Sequence, residues 1–316
     1  MKQQLQTTWP ALIALGALYI YLAFAAPGFY SAANLRDIAL ANAALLQVAT
    51  GMTLVIVLGQ IDISVGALFA VCSVTCGTLA KMGLPMILLP LIAVAAGTAL
   101  GAFNGALVSF VKAPSIVVTL ATMVAWREAL RLVTNGAWIE GLPTTFQWFG
   151  FGQQIGEAII IILTLLVFGA LWWSSRNLSA GRAIYATGSD PEAARLAGIP
   201  TDQVVFWVFA VMGALTGIGA LLNAVRFSDV PANSGMNLEL KAIAAVVVGG
   251  TPITGGCGNF LGTLIGVILL GSIGPALIFL GVNPFWEKAI QGGIILTAVL
   301  LEAIGTWRGR RAVELA

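Results

Sequence analysis

The sequence predicts an all-α polytopic membrane bundle with about ten transmembrane segments, and three observations carry that prediction. Of its 316 residues, 59% are hydrophobic and only 9% charged, where an ordinary soluble domain carries roughly a quarter charged. Apolar runs approaching the ~20 residues a bilayer-crossing helix needs recur along the whole chain. Glycine is abundant, at 37 residues, and much of it falls one helical turn apart: Gly97, Gly101 and Gly105; Gly213 and Gly217; Gly258, Gly262 and Gly266. That spacing lets helix backbones approach closely where lipid removes the hydrophobic drive to pair.

The apolar segments are 10–26, 38–58, 64–81, 86–110, 115–134, 157–174, 203–223, 239–251, 258–281 and 285–305. The first follows Lys2 and is too long for a secretory leader, so it is read as an uncleaved helix. The third, eighth and ninth are ragged with glycine and read as half-helices or re-entrant pieces. The chain is read as one transmembrane domain, 1–316, interrupted by a polar loop at 175–202. Two glycine-rich breaks, GQIDISVG at 59–66 and GGTPITGG at 249–256, echo each other. Broken helices at matching positions are a transporter device.

Ten crossings put both termini on one side. Lys2, Lys112, Arg176, Arg182, Arg195 and the tail Arg308, Arg310 and Arg311 would then share that side, eight of the 15 Lys and Arg. Several of the others, Arg127, Arg131, Lys241 and Lys288, sit at or inside helix ends. The positive-inside bias makes the shared side cytoplasmic.

Composition also excludes. A net charge of +2 without a basic stripe gives no footing for nucleic acid. With no histidine, the commonest general base and metal ligand is gone. Cys72 and Cys76 share one face of an apolar helix and Cys257 stands apart, which reads as packing. No catalytic or metal site is expected. No G-x-x-x-x-G-K-[ST] phosphate loop occurs, so ATP hydrolysis belongs to another subunit or energy comes from an ion gradient.

The loop 175–202, SRNLSAGRAIYATGSDPEAARLAGIPTD, predicts a short helix over 191–197. Asp190 serves as N-cap and Pro191 fills the first helical position. Glu192 suits the positive helix start and Arg195 the negative end. Gly198 closes the helix and Pro200 prevents its continuation. Seven residues are marginal as a free helix in water, so this one must pack on something. Its own bundle is one partner; a groove on another subunit, meeting Ala193, Ala194 and Leu196, is the other.

Polar or aromatic groups inside apolar segments are candidates for a solute path: Asn42, Gln47, Asn104, Trp126, Arg127, Asn223 and Gln291. Each amide must find a partner, and helix–helix glue competes with solute recognition. Asp62, in the first break, suits capping of the next helix. Glu128 and Arg131 suit a charged helix end beside Arg127.

Four blocks resemble the bacterial monosaccharide ABC permeases of the ribose, xylose and arabinose type. They are IVLGQIDISVGA, FNGALVSFVKAPSIVVTLATM, GRAIYATGSDPEAARLAGI and LKAIAAVVVGGTPITGGCGNFLGTLIG, in the family's order across residues 45–270. TNGAWIEGLP at 134–143 is similar to the autoinducer-2 and rhamnose branch. Glu128 departs from the family, where a small residue commonly follows the arginine. The resemblance implies a permease of the inner membrane that moves a small sugar or sugar-like molecule. It works with cytoplasmic ATPase subunits that carry ATP and Mg, a second permease subunit and a periplasmic sugar-binding protein. Ribose systems imply two identical permeases and autoinducer-2 systems two different ones. It assigns coupling to the ATPase to the third block, with Gly181, Arg182, Gly188, Asp190, Pro191, Glu192, Ala193, Ala194, Arg195, Leu196 and Gly198.

Two rival classes stand beside this one. An ion-coupled secondary transporter needs a titrating intramembrane carboxylate, for which Asp62, Glu128 and Glu302 are the candidates. A membrane-embedded enzyme needs a nucleophile motif or metal cluster, and the sequence offers neither.

Overall fold

The computed structural model describes residues 2–294 together with 296, 297 and 300. The tail arginines, Glu302 and most of the end of the tenth apolar segment lie outside the described residues.

The helices, in chain order, are α1 (Lys2–Ala25), α2 (Ala32–Val57), α3 (Val65–Lys81), α4 (Leu89–Ser109), α5 (Ser115–Thr134) and α6 (Gln153–Asn177), then α7 (Ser179–Ser189), α8 (Pro191–Leu196), α9 (Thr201–Ala224), α10 (Leu238–Val248) and α11 (Phe260–Phe279). A further helical run covers 286–294. The only strand-like pairing among the described residues is a bridge between Ile139 and Val230. Helices thus fall on all ten apolar segments, and among the described residues six are long and apolar enough to cross a membrane: Thr8–Ala25, Ala32–Val57, Met86–Ser109, Gln153–Asn177, Thr201–Ala224 and Phe260–Phe279. Three of the other helices differ in length or charge. At about 1.5 Å per residue, the 17 residues of α3 reach about 25 Å and the 11 of α10 about 16 Å, against a hydrocarbon core of about 30 Å. α5 is long enough but carries Arg127, Glu128 and Arg131 in its second half.

α2 forms the axis. Of its apolar window 89% is buried, against 17% for α1 and 22% for α4, which face outward. It packs on α9, α11, α6 and α10. The glycine spacings decide the closest crossings. Gly97 and Gly101 on α4 lie against the backbone of Gly213 on α9, Gly105 against Phe206 and Phe209, and Gly217 against Ala93. Gly262 and Gly266 on α11 meet Gly249 and Ala245 at the end of α10. At each of these points a side chain would strike backbone, so packing, the plainer reading of the spacing, is what the structure uses.

α10 is half-length, as its glycine content suggested, and α3 is only somewhat short of a full span; α11 is a full-length helix, which corrects the same expectation for the ninth segment. Residues 59–64 climb from the end of α2 into the bundle before α3 begins, and 225–237 descend from the opposite end before α10 begins. The two short helices therefore start beside each other inside the bundle: Gly66 at the head of α3 abuts Gly235 and Glu239 at the head of α10. The echo between the breaks does not mark equivalent positions. The first precedes a short helix and the second follows one. They are instead neighbours, with the Gly256 N–H donating to the Val57 carbonyl at 2.8 Å and Gly255 packed on Gly59.

Candidate functional site

α8 forms as its punctuation predicts. Asp190 accepts from the N–H groups of Glu192 and Ala193, both at 3.0 Å, with Pro191 at the first position. The helix ends in backbone bonds from Gly198 to Arg195 and from Ile199 to Ala194. One expectation is corrected: Ala194 does not share an outward face with Ala193 and Leu196. It is 5% exposed and turned into the chain's own body, because a two-turn helix needs one side to rest on. Leu196 is 87% exposed, with Ala193 also outward. Arg195 faces Asp202 of α9 at 3.7 Å, and Asp202 also pairs with Lys112. Glu192 and Arg182 are exposed; Arg182 donates to the Asn177 carbonyl at 3.3 Å.

α7 seats α8 on the bundle. Gly181 sits against the Ser175 backbone at the α6–α7 corner. Gly188 lies against the Val57 carbonyl at the end of α2, with Gly256 N beyond it, and Gly256 meets Ser189. Tyr185 donates to the Gly258 carbonyl at 3.2 Å. Burial pushes its phenol up, reinforced by Cys257 and opposed by Arg176, so it stays a proton donor. The end of α2, the end of α7 and the loop after α10 thus form one glycine-lined junction next to α8.

Deeper in the bundle, Asp62, Asn104 and Arg127 come together. Asp62 accepts from the N–H and hydroxyl of Ser64, at 2.9 and 2.6 Å, bracing the entry to α3; it does not cap the helix itself, whose N-cap residue is Ser64 and whose first turn has no side-chain cap. Asn104 on α4 donates to the Ser64 hydroxyl at 2.8 Å. Ser115 and Thr119 of α5 bond the Ile61 backbone at 3.3 and 3.4 Å. Just beyond, Glu239 Oε2, the Gly235 carbonyl and Arg127 Nη2 occupy the space where a side chain at Gly66 would stand. Four polar atoms here are buried without a hydrogen-bond partner: Asp62 Oδ2, Asn104 Oδ1, Arg127 Nη1 and Glu239 Oε2. Buried polar groups are nearly always satisfied, so four unpartnered atoms where the N-termini of α3 and α10 meet are an unusual concentration.

The other candidates lie elsewhere. Asn42 donates to the Ile38 carbonyl at 2.8 Å and packs on Gly271 of α11. Gln47 donates to the Thr164 carbonyl at 3.3 Å, tying α2 to α6. Asn42 thus bonds within its own helix, and Gln47 also keeps a buried Oε1 without a hydrogen-bond partner among the described residues. Trp126 meets Phe103, with ring centres 6.2 Å apart. Asn223 accepts from the Arg226 N–H at the end of α9. Gln291 donates to Glu287 at 2.9 Å, and Lys241 joins the same carboxylate at 3.0 Å. Glu128 pairs with Arg131 at 3.1 Å on the exposed side of α5, a charged helix end. The sequence reading missed Glu239 and Ser64. Glu239 stands one residue into an apolar run, where it reads as a helix-start acid; only the descent of 225–237 makes that start internal.

Comparison with known proteins matches this arrangement to a family. The profile described as branched-chain amino acid transport system / permease component matches residues 34–299. Relatives include proteins named autoinducer 2 import system permease protein LsrC from Yersinia pseudotuberculosis serotype O:3 (strain YPIII) and Yersinia pestis (strain Pestoides F). Each is 33% identical over 304 residues, covering 96% of this chain and 86% of the relative. No solved structure matches. With the profile spanning most of the chain and relatives aligned over nearly all of it, the chain belongs to the family of branched-chain amino acid transport system permease components.

Proposed function

We propose that this chain is the membrane-spanning permease subunit of an ATP-driven importer for a small sugar or sugar-like molecule, autoinducer-2 and rhamnose among them. The observation that carries the proposal is the seating of α8. Its outward apolar side, Leu196 above all, has no partner among the described residues, while its base runs through Gly188 into the ends of α2 and of the loop after α10. In this reading α8 faces the cytoplasm and docks into a groove on the ATPase. Movement of the ATPase pair pulls on the glycine junction and shifts the heads of α3 and α10, opening the buried Asp62–Asn104–Arg127–Glu239 cluster alternately to each side. A second permease subunit and a periplasmic binding protein complete the assembly. The relatives are named for import of autoinducer 2, and the same solute class is proposed here.

The experiment is reconstitution of the chain with its ATPase and binding protein in vesicles loaded with ATP, measuring uptake of labelled autoinducer-2, L-rhamnose and D-ribose. ATP-dependent uptake of one of them supports the reading; uptake driven by an ion gradient without ATP removes it.

One observation favours a second reading. Asp62 and Glu239 each keep a buried oxygen without a partner, which an ion-coupled secondary transporter could titrate. Uptake that survives ATP depletion and stops with an uncoupler would select that reading.

A further inference from the structure

At the end of the bundle opposite α8 lies a cavity of about 430 Å³ that no role above uses. Its size falls in the range of small-molecule sites. α2 contributes Asn34 and Asp37, α6 contributes Gln153 and Glu157, and Trp148 and Arg226 close it from the two neighbouring loops.

The residues are unusually committed for a loop surface. Arg226 donates from Nη1 to the Leu40 carbonyl at 3.1 Å, and its guanidinium stacks 5.4 Å from the Phe227 ring centre. Its Nε is buried and has no acceptor. Glu157 is 3% exposed and held by Arg36 at 3.2 Å and by Gln153 at 2.8 Å. Asp37 is exposed, is an electrostatic neighbour of Arg226 and makes no ion pair among the described residues. Trp148 adopts a left-handed backbone, φ 52°, as does Phe149 at φ 59°. Bulky side chains rarely take that conformation, and such strain persists only where the surroundings enforce it. Here a 2.7 Å bond from the Trp148 N–H to the Val225 carbonyl and packing of Gly156 beneath the residue enforce it.

The chemistry of the lining suits the solute class of the import reading. Glu157 is neutralised by Arg36, leaving one acid, Asp37, facing one base, Arg226, so the cavity favours neither anion nor cation. It presents a carboxylate acceptor, an unused guanidinium donor, amides that both donate and accept, and an aromatic face. Hydroxyl groups both donate and accept, and aromatic faces cover their carbon side. We infer that this cavity is a receiving site for a small uncharged polyhydroxy molecule, held between Asp37 and Arg226 against Trp148. The class of solute and the outward-facing sense of the site rest on the import reading above; the geometry of the cavity does not.

The test uses the full chain in lipid nanodiscs without ATPase or binding protein, with D-ribose and L-rhamnose as probes in saturation-transfer NMR. Saturation reaching the ring protons of at least one sugar, above that seen with empty nanodiscs, is expected. Asp37→Asn and Arg226→Gln each weaken it about tenfold, the factor that one charge-assisted hydrogen bond carries. If Arg226→Gln fails to fold, Asp37→Asn decides alone, since Asp37 is exposed and outside any ion pair. The inference is overturned if wild-type transfer does not exceed the empty nanodisc, or if Asp37→Asn leaves it unchanged. Vesicle uptake separates the two readings: uptake without nanodisc binding removes this site alone, and nanodisc binding without ATP-dependent uptake removes only the import reading.

Discussion

Gly188 of α7 lies directly against the carbonyl oxygen of Val57, the last residue of α2, with no room for a side chain between the two helices. A methyl group at position 188 would overlap that oxygen. Overpacking of this kind typically costs about 1–3 kcal/mol, and here it falls on the joint between α8 and the axis of the bundle. Gly188→Ala should therefore leave the protein inserted but lower ATP-dependent uptake about tenfold while ATP hydrolysis continues. Parallel uptake and ATPase assays check it; equal loss of both would place the effect on folding.

Leu196 and Ala194 make a matched pair. Leu196→Glu puts a charge on the exposed side of α8 and should cost about 2 kcal/mol of ATPase affinity, the scale of an interface anchor, without changing the melting temperature. Ala194→Arg must force a large side chain between α8 and the bundle, so it should lower the melting temperature as well. Affinity and melting curves on the two variants separate docking from packing.

The buried cluster gives a test of energy source. Asp62→Asn keeps an oxygen for the Ser64 N–H and hydroxyl but removes the charge. Import in this variant should slow, because Asp62 belongs to the buried cluster, but what remains should still depend on ATP and be insensitive to an uncoupler. An ion-coupled transporter would lose accumulation altogether.

Arg127 and Glu239 meet over Gly66. Removing one charge leaves the other buried, so Arg127→Gln and Glu239→Gln should each destabilise the chain. The double variant should be less damaging than their sum, by the ~0.5–3 kcal/mol typical of coupled neighbours. Thermal melts of the four proteins in one detergent complete the cycle; simple additivity would mean the two side chains do not interact.

Much of this was legible because its signals are local. The N-cap at Asp190, the stop at Gly198 and Pro200 and the four-residue glycine spacing each act within one or two helical turns, and the structure uses all of them. Glycine in segments three and eight likewise announced short helices. What the sequence hid is long-range. Whether Ala194 points inward depends on what α8 rests upon. That Glu239 lies inside the bundle depends on the path of 225–237. The outer cavity joins residues 34 to 226, and its plainest signal, the left-handed Trp148, is a backbone conformation that tryptophan does not advertise. Counting apolar runs does not separate short helices from full crossings, because both are equally apolar.

The central claim is that α8 is the docking element for an ATPase. The most direct measurement is affinity isolation of the full chain from its native membrane in mild detergent, with quantification of co-purifying ATPase for wild type and Leu196→Glu. The account predicts a nucleotide-hydrolysing subunit in fixed ratio to the wild-type chain and largely lost from the variant. A chain that purifies without any ATPase, or one that retains it fully when Leu196 is charged, would contradict it.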